Sequence, residues 1–135
     1  QAAKETGWGT SRFAIEGNAL FGQWTYTGDG IKPSGADNNA THKVMKFKVL
    51  KASVRAYQRN LNTHSSYREF RKARAIQRDN NEKLNSLELV NYLDKYAETG
   101  VEYTKILKKI IEQNSLKDFD DAKILPSSKK IKNLI

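Results

Sequence analysis

The spacing of apolar side chains changes along the chain, from a period of two near the front to a period of three to four behind it. In "LFGQWTY", Trp24 and Tyr26 alternate with Thr25 and Thr27, the pattern of a strand with one covered face. "KVMKFKV", Lys43 to Val49, alternates again, with Val44 and then Phe47 as inward candidates and lysines outward. "GDG" signals a tight turn and places Asp29 at a hairpin tip. Lys32 to Thr41 is a polar loop that carries Asp37. These segments predict a small antiparallel lobe of two or three strands.

The rest reads as helix. Val54, Tyr57 and Leu61 predict a helix over 52–62. Tyr67, Phe70, Ala73 and Ala75 or Ile76 predict one over 65–78. Leu89, Val90, Leu93, Tyr96 and Ala97 predict a third over 86–98. Tyr103, Ile106, Leu107, Ile110 and Ile111 predict a fourth over 101–113, after a break at Gly100. Ahead of the strands, residues 1–6 read as the end of a helix stopped by Gly7 and Gly9. Ser11 is placed to cap a short helix through Glu16, with Gly17 or Asn18 ending it. "QAAKE" offers no capping side chain, so the first helix reads as truncated, with further helices expected upstream. The expected fold class is α+β, mostly α, with a small antiparallel β lobe and a cleft between lobes. Residues 1–114 are expected to form the domain. Residues 115–135 are expected to form a packed extension followed by a mobile basic tail.

Composition narrows the function. The 135 residues fit one domain. The absence of cysteine excludes a disulfide framework and a cysteine metal site. No apolar run approaches the roughly 18 residues of a membrane span, and no signal peptide is visible. The net charge of +9 is local: residues 1–40 sum to −1, residues 41–78 to +10 and residues 79–135 to zero. Such a segment attracts an anionic polymer, although a solvated helix face has the same composition. The glycines form no phosphate-binding loop. His42 and His64 lack zinc-ligand spacing, and no nucleophile elbow is present.

A carboxylate remains. Glu5 follows Ala2 and Ala3 and precedes Trp8. A carboxyl group hemmed by small and aromatic groups loses hydration, which favours its neutral form. A neutral carboxylic acid is the proton donor that glycoside cleavage requires. Taken alone, a glutamate near a helix end is more often a surface charge.

The full stretch "AAKETGWGTSRFAIEGNALFGQW" resembles the signature of the bacterial glucosaminidase family of peptidoglycan hydrolases, glycoside hydrolase family 73. That signature runs A-x-E-S-G-W-G-x-S and then G-N-N-L-F-G. The likeness is strongest to the family's Bax-like branch, where "GTSRFA", "LFGQW" and "LNTH" recur. Glu5, Gly7, Trp8, Gly9, Ser11, Asn18, Leu20, Phe21 and Gly22 match, while Thr6 and Ala19 depart from the usual Ser and Asn. "FKVLKASVRAYQRNLNTHSSYREFRKAR" and "YAETGVEYTKIL" extend the likeness to roughly residue 114.

The resemblance implies a lysozyme-like fold; no cofactor and no metal are expected. It implies hydrolysis of the β-1,4 bond after N-acetylglucosamine in peptidoglycan glycan strands, in the bacterial envelope, periplasmic or secreted. It makes Glu5 the catalytic acid, with Trp8 and the "NALFG" loop packed beneath it, and gives Tyr103 the role of the closing-motif tyrosine. Trp8, Asn18, Phe21, Trp24, Tyr57, Tyr67 and Tyr96 become candidate substrate contacts, since flat aromatic faces suit sugar C–H faces. The basic segment 43–78 would meet anionic wall polymer; nucleic acid is not expected as a partner.

A second carboxylate is harder to place. Many relatives carry a glutamate in a T-x-E-Y-like strand of the β lobe, and no such residue occurs here. Asp29 and Asp37 are the available acids between Gly17 and Glu69. The substrate's own acetamido group is an alternative to a protein base, as is a transglycosylase-type reaction that needs one acid. A non-catalytic wall-binding module of the same fold is the further alternative.

Overall fold

A computed structural model describes residues 1–35, 41–80 and 83–123. The described residues divide into two compact units, one within Gln1–Arg59 and the other within 60–123.

In the first unit, helix α1 spans Ala2–Thr6 and ends on Gly7 in the left-handed conformation. Helix α2 spans Arg12–Gly17. Its N-cap is Ser11, whose hydroxyl accepts from the Ala14 N–H, and Asn18 in the left-handed conformation closes it. Both ends therefore fall where capping chemistry predicts.

Strands β1 (Trp24–Thr25), β2 (Gly30–Ile31) and β3 (Lys43–Met45) form an antiparallel sheet in the order β1-β3-β2. Trp24 and Ile31 both register against Val44, the buried centre of the sheet. The expected hairpin at "GDG" is not formed, because β3 lies between β1 and β2. Asp29 thus sits on a connection that crosses the end of β3, and its carbonyl accepts from the Lys46 N–H at 3.0 Å. Its side chain is exposed. Turn chemistry alone could not show that a later strand would insert between two earlier ones. Asp37 lies outside the described residues.

Helix α3 spans Leu50–Thr63, and the division between the units falls within it. In its first half Ser53 is completely buried and accepts a hydrogen bond from the Leu20 N–H at 3.0 Å. The small hydroxyl lets the "NALFG" loop approach the helix while giving a loop amide a partner.

In the second unit a one-turn 3₁₀ helix, Ser65–Tyr67, leads into α4, Arg68–Asp79. Tyr67, Phe70 and Ala73 are buried as the period predicts, but the next inward position is Gln77. Ile76 is 60% exposed. Gln77 tolerates burial because both ends of its amide are satisfied. Its Nε2 donates to Glu88 at 2.9 Å, and its Oε1 accepts from the Asn85 N–H at 3.0 Å.

The segment 86–98 is not one regular helix. Ser86–Leu89 forms α5, and Val90–Tyr96 continues as 3₁₀ helix with a kink at Leu93. Leu89, Val90 and Leu93 are nevertheless buried. Helix α6 spans Val101–Gln113 and buries Tyr103, Thr104 and Leu107, whereas Ile106 is exposed. Thr104 can take an inward place because its hydroxyl donates to the Val101 carbonyl at 2.9 Å.

After α6 a short 3₁₀ turn, Leu116–Phe119, returns along the same unit, where the Asp120 carboxylate accepts from the Ser86 N–H at 3.0 Å. The expected mobile tail lies outside the described residues. The architecture is α+β and mostly α, consistent with a lysozyme-like fold.

Burial raises the Tyr67 hydroxyl above its ordinary value of 10.0, and a hydrogen bond with Asn60 offsets part of that. The unfolded chain therefore loses this proton first. The stabilisation is complete below pH 10 and is lost as pH rises from there through the folded value. Tyr67→Phe is expected to flatten that alkaline decline, read as urea midpoints between about pH 8 and 11. Parallel curves for the two proteins would show that Tyr67 does not contribute.

Candidate functional site

Three consecutive residues after α1 take positive φ: Gly7 at 53°, Trp8 at 60° and Gly9 at 86°. This reverses the chain at the end of α1, directly after Glu5. Thr6 holds the reversal together. Its buried hydroxyl donates to the Ala2 carbonyl at 2.7 Å and accepts from the Gly9 N–H at 2.8 Å. A hydroxyl is what the geometry uses, so threonine serves where the family signature has serine.

Glu5 is half-buried. Its carboxylate faces Gly22, where a Cβ would lie 3.2 Å from Oε2. Gly22 has φ 58°, a conformation that costs an L-residue roughly 1–2 kcal/mol. Glycine at this position thus satisfies both the backbone and the acid. The expected approach of the "NALFG" loop to Glu5 is observed through Gly22.

The expected packing of Trp8 beneath the acid is not. Trp8 is 63% exposed, because its left-handed backbone turns the ring outward. A non-glycine residue in this conformation stores strain, on the order of 1–3 kcal/mol. Trp8→Gly is therefore expected to stabilise the fold by about 1 kcal/mol while weakening adsorption to insoluble wall. A denaturant melt and a pelleting assay read the two effects. Unchanged adsorption would remove Trp8 from the binding surface.

Asn18 is occupied locally: its Nδ2 donates to the Phe47 carbonyl at 3.0 Å, and the Phe47 N–H donates to the Gly17 carbonyl at 2.8 Å. Phe21 stacks on Tyr57 with centroids 3.9 Å apart and planes at 8°. The Tyr57 hydroxyl bonds the Gln1 side chain. Glu5, Gly22, Phe21 and Tyr57 thus belong to the same unit. Trp24 is 52% exposed and meets His42 edge-on at 4.4 Å. Sequence reasoning considered His42 as a metal ligand and missed it as an aromatic partner. It also missed Ser53, whose single clue was its place in the matched stretch "FKVLKASVRAYQ".

In the second unit the rings form a column. Tyr67 lies 6.2 Å from Tyr96, and Tyr96 stacks on Tyr103 at 5.6 Å with planes at 9°. Tyr103 is 3% exposed, Tyr67 is buried and Tyr96 is half-buried. Among the described residues of the same unit lie a cavity of about 470 Å³ around Lys83, Asn85 and Asp118 and one of about 360 Å³ around Glu69, Tyr92 and Asp94. None of the candidate site residues lines either one.

The basic segment is partly structural. The Arg71 Nη1 donates to the Leu61 and His64 carbonyls at 3.0 and 2.8 Å, where a cation is favoured by the end of α3. No acid occurs in β1, β2 or β3. Among the described residues, no cluster of His, Asp and Glu is arranged to hold a metal ion. None of their helices is long and apolar enough to cross a membrane.

Residues 1–116 match the Glucosaminidase family, described as mannosyl-glycoprotein endo-beta-N-acetylglucosaminidase. Over 116 residues the chain is 36% identical to the protein named bax of Escherichia coli (strain K12), covering 84% of this chain and 40% of that relative. The chain thus spans less than half the length of the relative. No solved structure matches it. By the extent of the family match, which takes in residues 1–116 of the 135, the chain belongs to the glucosaminidase family.

Proposed function

We propose that this chain is a peptidoglycan hydrolase that cleaves the β-1,4 bond after N-acetylglucosamine in glycan strands, with Glu5 as general acid. The observation that carries the reading is the placement of Glu5. It stands at the end of a capped helix with its carboxylate against Gly22 of the matched loop, within a family of glucosaminidases. A half-buried carboxyl held in one place can deliver a proton to the leaving oxygen as the bond breaks. Tyr103, which matches the closing-motif tyrosine, is the second functional residue of this reading. Trp8, Phe21, Trp24, Tyr57 and Tyr96 are its candidate sugar contacts. Residues 1–114 are taken as the catalytic domain, acting in the bacterial envelope.

The strands carry no acid and Asp29 is exposed. This favours assistance by the substrate's acetamido group over a glutamate base. Mass analysis of fragments released from purified peptidoglycan tests bond and mechanism together. N-acetylglucosamine at the new reducing ends is the expected product. Anhydro ends would replace this reading with a transglycosylase. The acid-free sheet also suits a second reading, a wall-binding module without activity. Pelleting with wall and no soluble fragments after long incubation would establish that one.

A further inference from the structure

We propose that Arg71, Arg74 and Arg78 of α4 form a docking face for a linear polyol-phosphate polymer of the cell wall. The wall as its source rests on the reading above; the affinity for phosphodiesters does not.

Spacings of three and four put the three side chains on one side of the helix, next to the stripe of Phe70, Ala73 and Gln77 that is buried. Their Cα atoms advance by roughly 4.5 and 6 Å along the axis. Two of them are held in place by neutral groups. Arg71 is anchored on the Leu61 and His64 carbonyls. Arg74 bonds the Asn62 side-chain oxygen, and its guanidinium lies 5.3 Å over the Phe70 ring. The ion pairs Lys72–Glu69, Lys83–Asp121 and Lys105–Glu102 involve none of the three arginines. The charges of Arg71 and Arg74 are therefore held in place, and none of the three is compensated by a carboxylate in these pairs. Desolvation, followed by repulsion from Arg78 and Arg71, pulls the Arg74 value down. A bound anion relieves that repulsion, and a fork fixed in advance loses little freedom on binding phosphate.

The surroundings select among polyanions. The larger rings at this face, Tyr67 and Phe70, are buried, and the one exposed ring, His64, leans against Tyr67 with centroids 5.9 Å apart, so successive bases find no row of free rings to stack on. The large exposed apolar residue of α4, Ile76, lies about 160° around the helix from Arg74, and the exposed residue nearer the arginines, Ala75, offers only a methyl group. An amphipathic helix that enters a lipid surface needs apolar groups flanked by its cations. A phosphodiester chain with neither bases nor acyl chains fits what remains.

The test is titration of the full chain with poly(glycerol phosphate) at several salt concentrations. Arg74→Gln/Arg78→Gln is expected to weaken binding about tenfold and to lower the slope of log Kd on log salt by about one to two. Lys108→Gln/Lys109→Gln on α6 removes the same net charge and is expected to change Kd less than about twofold. Arg78→Glu alone leaves the Arg74 anchors intact and supplies a second variant if the double one melts early. It too is expected to weaken binding about tenfold.

Equal loss in the α6 control would overturn the proposal. So would tighter binding of single-stranded DNA of matched charge, or of phosphatidylglycerol vesicles. Glu5→Gln is expected to bind the polymer like wild type. A protein that releases glycan fragments but ignores the polymer refutes this docking face alone. One that binds the polymer but releases nothing refutes the hydrolase reading alone.

Discussion

Glu5→Gln is expected to abolish release of reducing ends from purified peptidoglycan, lowering the rate by on the order of 10²- to 10⁴-fold. Glutamine keeps the size and polarity of the side chain but has no acidic proton to give. The fold should survive, because α1 is closed by Thr6 and Gly7 and not by Glu5. Thermal melting of the variant beside the wild type controls for that. Wild-type activity in Glu5→Gln, with melting unchanged, would remove Glu5 from the chemistry and leave the binding-module reading in its place.

Gly22→Ala should give the second largest effect, for two separable reasons. The φ of 58° strains any L-residue, at a cost of about 1 kcal/mol or more. The new methyl would also sit 3.2 Å from Glu5 Oε2, tight enough to push the carboxylate by a few tenths of an ångström. Proton delivery depends steeply on position, so activity should fall by about tenfold. Gly35→Ala distinguishes the two causes. Its φ of 81° carries similar strain, but its Cβ would enter open space. It should lose comparable stability and keep full activity. An equal loss of activity in both variants would mean that strain alone, and not contact with Glu5, limits the reaction.

The local elements were legible because their causes are local. A serine one residue ahead of α2 and a glycine one residue past α1 act through bonds within four residues. The apolar period of α3, α4 and α6 likewise reports which side of each helix is covered. Legibility failed where the outcome depended on a distant partner. Gln77 replaced Ile76 as an inward residue because Glu88 and Asn85 meet its amide. The segment after Ser86 kept Leu89, Val90 and Leu93 buried but passed into a 3₁₀ helix at Val90 and kinked at Leu93. Asp29 left its predicted hairpin tip because β3 entered between β1 and β2.

The candidate site divides in the same way. By itself the sequence determined the capped turn after Glu5 and the family to which the chain belongs, since both are written in residue identity and spacing. Tertiary structure alone decided what stands next to the acid. Trp8, its neighbour in sequence, turns to solvent on a left-handed backbone, and Gly22, seventeen positions on, takes its place. Contacts of that range are fixed when the loop amide of Leu20 finds the buried Ser53 hydroxyl. No pattern within a helix or a turn encodes that meeting.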